Sequence, residues 1–94
     1  MQIQFRKNIQ FTRLLKVDGR LREFNFRKAG MDQGGYFTVD VSDDKGNRIM
    51  FRMEKQDSGW RFQQEQLLPV WVLRTEPQFN ESIEAALASE DPNN

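Results

Sequence analysis

Ninety-four residues of zero formal net charge, 37% hydrophobic and 30% charged, are expected to make one small globular domain. The chain holds no histidine and no cysteine, which removes imidazole acid–base chemistry, the usual zinc ligands and most nucleophilic sites. The options left are paired carboxylates, a tuned lysine or a serine–lysine pair. None is signalled, so no catalytic, metal or cofactor site is expected.

The N-terminus, Met1-Gln2-Ile3-Gln4-Phe5-Arg6-Lys7, lacks the apolar stretch of a signal peptide. No segment approaches the ~18–20 apolar residues of a membrane helix, so a cytoplasmic location without membrane contact is the expectation. Apolar residues at odd positions from Met1 to Val17 predict strand, with a break near Arg6–Asn8. A helix over Ile9–Lys16 competes, because Phe11, Leu14 and Leu15 also share a helical face. Asp18-Gly19 is a favoured two-residue hairpin turn. It leads into a strand over Arg20–Ala29 and sets Phe11 opposite Phe26, but Phe24 opposite Arg13.

Period-two alternation continues in Tyr36–Ser42 and Arg48–Glu54. A three-residue loop closed by Gly46 between Asp43 and Asn47 would set Val41 opposite Ile49, Val39 opposite Phe51 and Phe37 opposite Met53. Every apolar side chain then meets another on one face, which specifies the register. Gly30 and Gly35 can flank a turn over 31–34, placing Phe26 opposite Val39 and Phe24 opposite Val41. Lys55 and Trp60 can flank a turn over 56–59, placing Met53 opposite Phe62.

Leu67–Leu73 is a continuous apolar run with Pro69 near its start, suited to a buried connector or short helix. Thr75-Glu76-Pro77-Gln78 has the form of a capping box. Phe79, Ile83, Ala86 and Leu87 recur at helical spacing, predicting a helix at about 76–89 that packs on the sheet. The expected fold is α+β: a two-layer antiparallel β-meander of four to five strands with one C-terminal helix. Residues 1–89 form the domain and 90–94 a disordered tail.

The charge is unevenly spread. Residues 1–28 carry eight Lys and Arg against Asp18 and Glu23, and the remainder carries six against twelve acids, so the halves differ as +6 and −6. Either a basic strand lies beside an acidic helix, or a basic arm awaits an anionic partner. Arg13, Lys16, Arg20, Arg22, Arg27 and Lys28 are the candidate nucleic-acid contacts, with Tyr36 or Phe24 to stack a base. Edge protection explains the same cations without a ligand. The outer sheet face mixes Lys16, Arg27, Arg48, Arg52 and Arg61 with Glu23, Asp40, Glu54 and Glu65, as a solvated face does. Trp60 is expected to cap the core beside Phe62. Trp71, with Val70, is the candidate protein interface, an exposed tryptophan being a common anchor.

Strands followed by one C-terminal helix, across Phe11–Leu87, are similar to the Pur/Whirly-type single-stranded nucleic-acid binders. There a four-stranded sheet and helix dimerise and present a basic, aromatic sheet surface. The likeness is topological and gives no residue a role. Leu68-Pro69-Val70-Trp71 with the acidic helix after it also looks like small uncharacterised bacterial proteins, which implies no function. The expectation is a non-catalytic binding module that contacts a protein partner or a second copy. The alternatives are single-stranded nucleic-acid binding through the first hairpin, and a hydrolase using two close carboxylates among Asp40, Glu54 and Glu65.

Overall fold

Alternating burial builds the sheet, and a computed structural model describes residues 9–29, 35–63 and 67–89 of the chain. The strands are β1 (Gln10–Val17), β2 (Arg20–Ala29), β3 (Tyr36–Ser42), β4 (Arg48–Gln56) and β5 (Gly59–Phe62). They form one antiparallel sheet in the order β1-β2-β3-β4-β5. A short helix, α1 (Val70–Leu73), leads into α2 (Glu76–Ser89), which packs on the sheet. The fold is the expected α+β meander with a C-terminal helix. Residues 1–8, 30–34 and 90–94 lie outside the described residues, and with them the expected break near Arg6–Asn8, the expected turn over 31–34 and the expected disordered tail.

Turn chemistry sets the registers. Asp18 and Gly19 both take positive φ, 52° and 77°, the pair of left-handed residues a tight two-residue hairpin requires. Phe11 then pairs with Phe26, and their rings stack at 4.5 Å. The β3–β4 loop closes as expected. Asp43 N–H donates to the Asn47 carbonyl, and Gly46, at φ 83°, donates to the Asp43 carbonyl. Val41↔Ile49, Val39↔Phe51 and Phe37↔Met53 follow. The β4–β5 turn is tighter than the four residues expected. Gln56 pairs with Gly59, so Asp57 and Ser58 alone make the turn, while Lys55↔Trp60 and Met53↔Phe62 hold. The β2–β3 ladder contains Phe26↔Val39 but ends at Asn25↔Asp40, leaving Phe24 beyond the paired residues.

Strand wins over helix at Ile9–Lys16 because β2 supplies a full-length partner. Phe11, Leu15 and Val17 turn into the core, and Leu14, which a helix would have buried with them, is 59% exposed. Arg13 breaks the apolar pattern at little cost: its guanidinium lies 4.9 Å over the Phe11 ring and the residue is half-buried.

The core is aromatic. Phe24, Phe26, Phe37, Phe51 and Phe79 are fully buried with Val39, Val41, Met53, Val72 and Ile83. Phe79 of α2 is its centre, with ring centroids 5.0 Å from Phe24, 5.9 Å from Phe26, 5.3 Å from Phe51 and 6.1 Å from Phe62. Burying one such ring contributes about 1.5–3 kcal/mol. Trp60 is buried as expected, edge-on to Phe37 at 5.1 Å.

Thr75 precedes α2 and its carbonyl accepts the Phe79 N–H, but the capping box does not close on it. Its hydroxyl donates back to the Trp71 carbonyl at 2.6 Å, and its N–H donates to Val72. The turn of α1 has already satisfied the groups that Gln78 would have served. Glu76 instead accepts the Phe62 N–H at 2.8 Å, and Asn80 accepts the Trp60 N–H at 2.7 Å. These side chains anchor α2 along the edge of β5.

Candidate functional site

The sequence-derived candidates fall on two surfaces. The first is α1. Arg22, on the inner face of β2, lays its guanidinium 4.0 Å over the Trp71 ring and reaches Asp44 at 3.2 Å. Its side chain is only 9% exposed. The Phe24 ring centroid lies 6.5 Å from that of Trp71, so Trp71 is a half-buried plate held by a cation and an aromatic ring. Arg74 ties the C-terminal end of α1 to Asp18 at 3.2 Å. Around this plate Val70 is 60% exposed and Leu73 45%, three residues apart on one helical face. Leu67, which the sequence reading did not single out, is fully exposed just before α1. The unbroken apolar run was its signal, read there as burial.

The second surface is the first hairpin, and the structure divides its cations between two faces. Alternation puts Arg13, Arg20, Arg22 and Lys28 on the inner side and Lys16, Arg27 and Tyr36 on the outer. Arg20 joins Arg22 on Asp44, at 2.9 Å. Arg52 lies 4.7 Å over the Tyr36 ring, on a face a base would stack against. The seven residues are therefore not gathered on one platform.

The charge asymmetry is met in part within the chain, by a different route from the one expected. Arg20 and Arg22 go to Asp44 of the β3–β4 turn. The acids of α2 go elsewhere: Glu76 to Arg61 at 3.5 Å and Glu84 to Lys55 at 3.1 Å.

On the outer face a polar chain crosses four strands. Thr12 donates to Asn25, Asn25 to Asp40, and Arg48 also to Asp40. It crosses an open depression of about 540 Å³ that is also lined by Gln10, Arg27, Thr38 and Met50. Asp40 is committed to Asn25 and Arg48, whereas Glu54 sits further along the sheet, opposite Tyr36 and Arg61. Glu65 lies outside the described residues. Asp43 titrates below the ordinary aspartate value of 3.8, chiefly because the Asn47 backbone N–H bonds its carboxylate. That bond closes the turn, which accounts for the shift.

Among the described residues no cluster of three or more acidic side chains is placed to hold a metal ion, and no helix is long and apolar enough to cross a membrane. No protein-family model, curated protein or solved structure matches the chain.

Proposed function

We propose that this domain is a non-catalytic binding module that works by protein contact, with Val70 and Trp71 at the contact surface. The observation that carries this is the exposed apolar set Leu67, Val70 and Leu73 beside a tryptophan already immobilised by Arg22. An anchor held in place before binding loses little entropy on association, and apolar residues around it exclude water. Nucleic-acid binding is the weaker reading, because Arg20 and Arg22 share the Asp44 carboxylate and Arg52 lies over a face of the Tyr36 ring. Phosphate recognition needs a concentrated cationic field.

A photo-crosslinking amino acid at Val70 tests the proposal, with the same group at exposed Glu81 of α2 as control. The expected result is a discrete protein adduct from position 70 only, in the cells that make the chain. A labelled single-stranded oligonucleotide should show no change in anisotropy at low salt. No adduct at 70, or salt-sensitive oligonucleotide binding, overturns the reading.

A further inference from the structure

The two edges of the sheet are finished differently. Residues flanking a two-residue hairpin turn form a hydrogen-bonded pair, and the pairs alternate from there. Counting from Gln56↔Gly59, Trp60 and Phe62 aim their N–H groups off the edge of β5. Asn80 and Glu76 accept both, so that edge is closed. The same count from Val17↔Arg20 makes Gln10, Thr12, Leu14 and Lys16 the residues whose N–H and C=O groups leave the edge of β1. The bond from Lys28 N–H to the Ile9 carbonyl at 2.8 Å falls in phase with it.

Among the described residues, β2 is the only strand paired with β1. The open edge is eight residues long, with neither proline nor glycine. Such an edge is a template for another strand. Leu14 lies on it, 59% exposed, and Leu21, its diagonal neighbour on β2, is 66% exposed.

We infer that β1 docks a second copy of this chain, antiparallel, about a two-fold axis at Leu14; this rests on the reading that the domain acts by protein contact. The strand is self-complementary in that register, as a two-fold interface requires. Leu14 meets Leu14 of the partner subunit, and Thr12 meets Lys16 in the flanking pairs, giving about six backbone hydrogen bonds. On the inner face Arg13 meets Leu15, and Phe11 meets Val17. No cation opposes a cation. An axis at Arg13 would set two guanidinium groups opposite each other, which is unfavourable. An axis at Thr12 would set Leu14 against Gln10. Pairing at Leu14 gathers the exposed leucines of both copies into one cluster and joins two sheets into one.

The test is molar mass by light scattering at high micromolar concentration, on wild type, Leu14→Pro and Leu14→Lys. Proline at 14 removes a donor that β2 does not use, so the hairpin is expected to survive it. Circular dichroism checks the fold. The wild type should run at twice the 11.2 kDa of one chain, and both variants at one chain. Because the chain has no cysteine, Leu14→Cys should crosslink through a short bismaleimide, whereas Leu67→Cys should not. A monomeric wild type, or a dimer that ignores both variants and crosslinks at 67, overturns pairing through β1. Either result leaves the protein-contact reading to the Val70 experiment. Should Leu14→Pro lose its fold, Leu14→Lys and the crosslink decide.

Discussion

At Gly59 the sheet backbone lies directly against Asn80 of α2, and replacing it with alanine tests how the two layers are held together. A Cβ there would lie 2.7 Å from Asn80 Oδ1 and 3.2 Å from its Cγ. The backbone also sits at φ 127°, a conformation side-chain-bearing residues avoid. Asn80 can rotate away, but its oxygen then leaves the Trp60 N–H, which it accepts at 2.7 Å. An orphaned, part-buried N–H costs about 1–3 kcal/mol and the backbone strain about 1–3 kcal/mol, so Gly59→Ala should lose about 3 kcal/mol. A domain of this length has roughly 5–14 kcal/mol in all, and the melting midpoint should fall by about 12–24 °C. Urea titration followed by tryptophan fluorescence measures the loss. Asn80→Ala should cost about 1–2 kcal/mol alone, and the double variant should lose less than the sum, because the same N–H is orphaned in both singles. Strict additivity, or a Gly59→Ala midpoint within about 0.5 kcal/mol of wild type, would refute the reasoning.

Phe79→Leu removes the ring that four sheet aromatics share and should cost about 1–3 kcal/mol by the same titration, with the fold retained. Arg22→Ala should cost about 1–2 kcal/mol. Arg22→Lys should recover less than half of that, since an ammonium cannot stack flat on Trp71 while reaching Asp44. Asp43 has a lowered folded-state pKa, so its contribution is present above 3.8 and lost as pH falls through the folded value. Asp43→Asn should therefore flatten the acid side of the stability profile below that pH, with a small amplitude because the turn is exposed. Urea midpoints measured from pH 5 downward check this.

Much of the meander was legible because turns and alternation agree. Asp18-Gly19 and Gly46 name their hairpins, and the registers they impose gather Phe, Val, Ile and Met on one face, with Arg13 an exception. The helix from Glu76 to Ser89 was equally plain, since Phe79, Ile83 and Ala86 recur at helical spacing. The capping box was misleading at Thr75 for a local reason. The pattern matches the motif, but the preceding turn of α1 already occupies the Thr75 N–H and hydroxyl. The cations of the first hairpin were visible as a cluster along the chain, yet period-two alternation sends neighbours to opposite faces.

Composition, hydrophobic period and turn residues thus determined the strands, the hairpin registers and the α2 helix, because these depend on residues close in sequence or opposed across a short turn. Tertiary structure alone decided that Arg22 reaches Asp44 and Trp71, and that Asn80 and Glu76 close the edge of β5. Those outcomes join residues distant in the chain, whose meeting depends on the path of the connector and the angle of the helix, and no local pattern encodes either.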